Sequence, residues 1–260
     1  MNENSIVTYF KNNNYDYTNS EDYDLIKKIT YLTKTRHVES EKEGYENYKM
    51  NWGCEQPFLI RCIAKKYKSR NFFEIGTGRG TACYSICNLE NIQNITTVDI
   101  IPFEEKKNYA VGYKNRKISM KDINELIDIP EKNKILFLQR DNSLINFINK
   151  NKGSYDLFFI DGSHEDPNMI FNDFQICMML ASEKSVILWD DYNDNFKVKP
   201  VVDYIIENFS KELNIKNTEL ISFKGHIFDH MHRNAEKERK DSGILIMEIE
   251  NKIKTNKEEY

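Results

Sequence analysis

The chain has 260 residues, 40% hydrophobic and 30% charged, which supplies enough apolar material for one sizeable α/β domain with additions. Its 37 basic and 41 acidic residues leave a formal charge of −4, so there is no long-range attraction for nucleic acid or an anionic membrane. No stretch approaches the ~20 apolar residues that span a bilayer, the polar N-terminus does not read as a secretory signal, and five cysteines without paired spacing read as reduced thiols of a cytoplasmic protein.

Residues 1–55 are polar and Tyr-rich, with helical periodicity around Asp22 to Leu32; they read as an N-terminal extension or cap. From Gln56 the pattern changes, and Phe58, Leu59, Cys62 and Ile63 recur at helical spacing. Five short apolar runs follow, at 71–75, 95–98, 135–138, 156–160 and 185–189, each too short for a buried helix and each read as a buried parallel strand. Met120 to Ile127 suits a short helix inside a polar insertion. Pro167 opens a helix whose apolar stripe is Ile170, Phe171, Phe174, Met178 and Ala181. Two last strands, near 219–223 and 244–249, are set to form a terminal hairpin. Strand–helix–strand repetition predicts right-handed crossovers and a doubly wound, mostly parallel sheet over residues 56–250, with 251–260 a charged tail.

The sharpest local signal is Glu74-Ile75-Gly76-Thr77-Gly78-Arg79-Gly80, which follows the first strand and opens a helix. Glycines permit the tight turn and let a ligand approach the backbone. The spacing is not that of a dinucleotide fingerprint, because Thr81 stands where the third small residue belongs, and no Gly-Lys-Ser/Thr of a P-loop is present. Asp99 ends the second strand, where an acid accepts hydrogen bonds from both hydroxyls of a ribose. Asp141-Asn142-Ser143 follows the third strand, with polar groups suited to an adenine edge.

A second constellation ends strands four and five: Asp161-Gly162-Ser163-His164 and Asp190-Asp191-Tyr192. Neighbouring strands would bring three carboxylates together on the face that carries the glycine loop. Unpaired they repel, and a hard cation such as Mg²⁺ resolves this with oxygen ligands; the alternative is that these acids are only loop caps and cofactor contacts, with no metal. His164 is then placed to take a proton from a hydroxyl.

The glycine loop with its successive strand-end acids resembles the class I S-adenosylmethionine (SAM) methyltransferases over about residues 56–250. The resemblance implies a seven-stranded sheet whose last strand is antiparallel. It also implies that Gly76, Thr77, Gly78 and Gly80 border the methionine part of SAM, that Glu74 orients the loop and the SAM amine, that Asp99 binds the ribose, and that Asp141, Asn142 and Ser143 lie near adenine. The Asp-Gly-Ser-His stretch, with Asp173 and then Asp-Asp-Tyr, is similar to metal-dependent O-methyltransferases of macrolide-type sugars and, more distantly, to catechol O-methyltransferases. That similarity implies Mg²⁺ on Asp161, Asp190 and Asp191, His164 as general base, and a small polar acceptor such as a sugar. Glu183-Lys184 departs from the family's Gly-Gly turn before strand five.

Two rivals stand beside this reading: an NAD-dependent oxidoreductase, disfavoured by the glycine spacing, and a binding module without catalysis. Methylation of nucleic acid or protein lacks a basic stripe or an Asn-Pro-Pro-Tyr-type motif. His226, His230 and His232, beside Asp229, sit in a highly charged segment that reads as an exposed loop rather than as a zinc site or substrate contact. Trp52, Tyr45 and Tyr48 read as packing of the extension rather than a lid, and Tyr192 as a candidate pocket residue.

Overall fold

The computed structural model describes residues 8, 21–33, 45, 55–108, 117–222 and 243–250. Its elements, in chain order, are α1 (Glu21–Thr33), α2 (Glu55–Lys66), β1 (Asn71–Ile75), α3 (Thr81–Ile86), β2 (Asn94–Asp99), β3 (Lys107–Asn108), β4 (Lys117–Ile118), α4 (Met120–Leu126), β5 (Ile135–Gln139), α5 (Asn142–Lys150), β6 (Tyr155–Ile160), α6 (Pro167–Leu180), β7 (Ala181–Trp189), α7 (Val198–Phe209), β8 (Ile215–Ser222) and β9 (Gly243–Glu250). Seven strands form one sheet in the order β5-β2-β1-β6-β7-β9-β8. The pairs β5/β2, β2/β1, β1/β6 and β6/β7 are parallel, whereas β9 runs antiparallel to both β7 and β8. This is the doubly wound, seven-stranded sheet expected, with the terminal hairpin completing it.

Strand alternation sorts the core into two layers. Phe72, Leu157, Phe159, Val186, Leu188 and Ile246 face one way, against α1 to α4. Phe73, Phe158, Ile160, Ile187, Trp189 and Met247 face the other way, against α5, α6 and α7. Successive strand residues point to opposite faces, and both faces are covered, so the central strands read as unbroken apolar runs. The N-terminal helix belongs to this core: Ile26 and Ile29 are fully buried.

The structure departs from the sequence pattern in four details. Residues 135–138 form an edge strand rather than a fully buried one, since Leu136 is 45% exposed; an apolar run alone does not tell a central strand from an edge strand whose outer side is open. Glu183 and Lys184 lie within β7 itself, across an irregularity in its pairing with β6, and no turn separates α6 from the strand there. Ala181 opens that strand rather than extending the helical stripe. Helices α5 and α7 are additions that the sequence pattern does not single out, and a small β3/β4 hairpin joins α4 in the polar insertion.

Candidate functional site

All the expected site residues fall at the carboxyl ends of β1, β2, β5, β6 and β7, the rim where open α/β sheets bind ligands. The sheet ladder runs past the strand ends and sets these residues side by side. Gly76 N–H donates to Val98 O at 2.8 Å, Asp161 N–H to Ile75 O at 2.8 Å, and Asp190 N–H to Ile160 O at 3.0 Å.

The glycine loop turns through left-handed conformations at Gly76, Gly78 and Gly80, with φ of 94°, 52° and 76°. A Cβ on Gly76 would lie 1.9 Å from the Asp161 carbonyl oxygen, so only glycine lets the two strand ends meet. At Gly78 a Cβ would meet nothing within 4 Å, and the backbone there is open to a ligand. Asp99 holds the loop from β2: one carboxylate oxygen accepts from Gly78 N–H and the other from Ile101 N–H, each at 3.0 Å. Beside Gly78 and Asp99 runs a narrow slot walled by Ile101, Phe103, Met120 and Phe137. Its walls are apolar and aromatic, with the Asp99 carboxylate at the rim. Phe103, Met120 and Phe137 are not legible as site residues in the sequence, because each reads as ordinary core.

Glu74 and Thr77 point inward. Glu74 is buried, accepts from the Thr97 hydroxyl at 2.6 Å, and the Thr97 and Thr77 hydroxyls are 2.6 Å apart. Burial, with Asp99 adding to it against the Thr97 hydrogen bond, pushes the Glu74 carboxyl up to about 8. The Thr77 hydroxyl is therefore engaged inside the loop. Asp141 caps α5: its Oδ1 accepts from Ser143 N–H at 2.7 Å and from the Ser143 hydroxyl at 2.6 Å. Those bonds hold its carboxyl below the ordinary range. Asn142 and Ser143 form the first turn of that helix and are exposed.

On the other half of the rim, ligand atoms of Asp161, His164 and Asp191 lie within 4.8 Å of one another. His164 Nδ1 is 3.3 Å from Asp191 Oδ2, and its Nε2 is 3.9 Å from Asp161 Oδ1. The Phe196 ring packs at 5.4 Å from the imidazole, and Lys197 N–H ties down the His164 carbonyl at 2.9 Å. Asp191 sits at φ 52°, a left-handed turn that an aspartate tolerates better than most residues and that directs it away from its neighbour Asp190. Asp190 stands outside the trio. Its Oδ2 accepts from Gln56 Nε2 at 2.8 Å, and its carboxyl shares a hydrogen bond with Asp161. Burial first, then the neighbouring carboxylates of Asp190, Asp191 and Glu74, raise the Asp161 carboxyl far above its ordinary range; burial and Asp191 raise Asp190. Each carboxyl of the Asp161–Asp190 pair is thus biased toward its protonated form.

Asp173 lies beneath this rim, wholly buried, 2.5 Å from Arg140 and directly under Gly162. Burial raises its carboxyl to about 6 against the pull of Arg140. Tyr192 turns away from the rim, since its hydroxyl donates to Asp203 of α7 at 2.5 Å. Tyr45 packs edge-on against Tyr31 at 5.5 Å. Trp52, Tyr48, His226, Asp229, His230 and His232 lie outside the described residues, as do Cys54 and the tail 251–260. Among the described residues no helix is long and apolar enough to cross a membrane.

Residues 73–192 match the family model of a methyltransferase domain. Solved structures that share the fold include the following two. An O-methyltransferase from Bacillus cereus in complex with S-adenosylhomocysteine (SAH) is 15% identical with a TM-score of 0.54, over 95% of this chain and 100% of that one. The O-methyltransferase TomG from Streptomyces achromogenes, involved in tomaymycin synthesis and in complex with SAM, is 11% identical with a TM-score of 0.51, over 85% of this chain and 89% of that one. No curated protein matches the chain by sequence.

Proposed function

We propose that the chain is a class I, SAM-dependent O-methyltransferase that methylates a hydroxyl of a small polar acceptor, such as a sugar or glycoside, with help from Mg²⁺; the match of residues 73–192 to a methyltransferase domain supports this. One observation carries the reading. The glycine loop and the Asp161–His164–Asp191 trio share a wall, the Gly76–Asp161 contact that admits no Cβ. The glycine loop and the cluster of acid and imidazole groups are therefore neighbours on the rim. The two solved neighbours described above are both named O-methyltransferases, in agreement with this reading.

In this reading Asp99 holds the ribose, the slot of Phe103, Met120 and Phe137 holds adenine with Asp141, Asn142 and Ser143 at its edge, and Gly76, Gly78 and Gly80 pass close to the methionine part. SAM, when bound, supplies a methyl group on a sulfonium that departs as a neutral thioether. Asp161, Asp190 and Asp191 would hold a divalent cation, whose chemistry is to lower the pKa of an acceptor hydroxyl and fix its direction of approach. Asp191, 3.3 Å from His164 Nδ1, keeps the ring proton on that nitrogen and leaves the Nε2 lone pair free. Nε2 then takes the hydroxyl proton as the oxygen gains its methyl group. Most of the rate enhancement comes from holding the two reactants in line. The protein is expected in the cytoplasm.

Calorimetric titration with SAH, with NAD as control, tests the assignment. Micromolar binding of SAH, weakened roughly 100-fold or more in Asp99→Ala by loss of charge-assisted hydrogen bonds, is the expected result. Preference for NAD would overturn the reading. An acceptor screen with and without Mg²⁺ then follows, in which a stimulation by the cation that is lost in Asp161→Asn supports the metal.

A further inference from the structure

We infer that Gln56 is the positioning residue for the strand-end carboxylates, reaching from α2 to hold Asp190 at the angle a divalent cation needs; the inference rests on the cation of the proposed function. Gln56 Nε2 donates to Asp190 Oδ2 at 2.8 Å, a contact that spans 134 residues of sequence and is partly buried. The geometry divides the labour of the Asp190 carboxylate. One oxygen is fixed by a neutral amide, and the group still hydrogen bonds with Asp161 beside it. A neutral donor suits this place. A lysine or arginine would compete with the cation for the same charge, whereas an amide fixes the oxygen and leaves the net negative charge of the site intact.

The amide is delivered from a rigid element. In α2, Leu59, Ile60 and Ile63 are fully buried. Arg61 of the same helix is almost wholly buried, and it donates to Asp22 of α1, to the Ser85 carbonyl and, at 2.7 Å, to Asn88 Oδ1. Lys65 adds a 2.6 Å contact to the other Asp22 oxygen. Asp190 in turn is anchored through its N–H on Ile160 O. Both ends of the Gln56–Asp190 bond are thus held by packed structure, the condition for a supporting side chain to fix a ligand. The N-terminal helix, through Asp22, is part of the frame that sets this distance.

The test is a double-mutant cycle on the full chain with Mn²⁺ as the probe, its free fraction read by electron paramagnetic resonance, and SAH calorimetry run on every variant. Gln56→Met keeps the volume and removes the donor. It is expected to weaken Mn²⁺ binding roughly 10- to 100-fold while SAH affinity stays within about twofold of the parent. Introduced into Asp190→Asn, the same change is expected to cost nothing more, because Gln56 acts only through Asp190. If Gln56→Met loses SAH binding as well, Gln56→Asn replaces it: that side chain keeps the amide, one methylene short of Asp190, and the same Mn²⁺ loss is expected. Parent-like Mn²⁺ affinity in the folded variant, or losses that multiply in the double variant, overturns the assignment. A parent that binds SAH but no Mn²⁺ overturns it together with the cation, and leaves the methyltransferase reading standing.

Discussion

The two halves of the rim are built on opposite principles. Around β1 and β2 every charged or polar group named above has a partner: Asp99 takes two backbone N–H groups, Glu74 takes the Thr97 hydroxyl, and Thr77 shares that hydroxyl. Around β6 and β7 three carboxylates and an imidazole crowd together, and two of the acids are driven toward their protonated forms. The first half is preorganised and has little to gain from a ligand except the ligand's own contacts. The second half stores repulsion that a cation or a proton relieves. Binding a constant cofactor suits a rigid, satisfied cradle, whereas activating a hydroxyl suits groups whose protonation is poised to change.

The contrast is sharpest at the wall between the halves. Gly76→Ala would place a Cβ 1.9 Å from a backbone oxygen at φ 94°. A loss of at least about 4 kcal/mol in unfolding free energy is expected, enough to leave much of the chain unfolded. Gly78→Ala has the same left-handed backbone but open space, and should cost only about 1–2 kcal/mol. Denaturant melts of the two variants measure the difference. Equal losses would mean that conformation alone, and not the contact with Asp161, requires glycine here.

Glu74 probes the satisfied half. Its carboxyl titrates at about 8 in the folded chain against 4.5 when free. Between those values the native state holds a proton that the unfolded chain has released. This group therefore lowers stability progressively as pH rises from about 4.5 to 8. Glu74→Gln removes the titration and keeps an oxygen for Thr97. Thermal melts should show the variant more stable than the parent at pH 8, by about 2–4 kcal/mol, with the gap closing toward pH 4.5. A gap independent of pH would show that burial does not hold the proton on Glu74.

Both constellations are legible in the sequence because each lies where a strand ends, and strand ends are marked by apolar runs giving way to glycine or acid. Gly76, Gly78, Gly80 and Asp99 can be placed from spacing alone, as can Asp161, Asp190 and Asp191. Side-chain direction is not legible. Asp190 and Asp191 are adjacent in sequence, yet the turn at Asp191 sends one toward His164 and leaves the other with Gln56. Gln56 carries no local signal, because its partner is 134 residues away. Arg140 is likewise visible only through its buried partner Asp173. Helix α7 escapes the sequence pattern although Val198, Val202 and Ile205 are buried, since the segment before it is polar and irregular.

The crowded half has its own test, smaller in energy. Asp161 is opposed by the carboxylates of Asp190, Asp191 and Glu74. Asp161→Asn removes the titrating group and keeps the shape. Without added metal the variant is expected to be more stable than the parent by about 1 kcal/mol at neutral pH, read from the shift in melting temperature. On adding Mn²⁺ the parent should gain stability by mass action and the variant should gain none, so the order of the two reverses. A parent that melts at the same temperature with and without Mn²⁺ would assign these acids to protons alone.

The smallest effect separates two jobs of one side chain at the far edge of the cradle. Asp141 Oδ1 is occupied by Ser143, which makes the residue the N-cap of α5. If capping were its whole role, Asp141→Asn would be nearly silent, because an asparagine oxygen caps as well as an aspartate. If the second carboxylate oxygen also accepts from the adenine amino group, the variant presents an amide N–H to that donor instead. Stability should then hold within about 0.5 kcal/mol of the parent, read from the melting temperature, while SAH affinity falls several-fold. Asp141→Ala removes both functions and is expected to lose about 1 kcal/mol of stability as well. Affinity that survives in Asp141→Asn and falls only in Asp141→Ala would confine Asp141 to the helix and leave adenine to the apolar walls of Phe103, Met120 and Phe137.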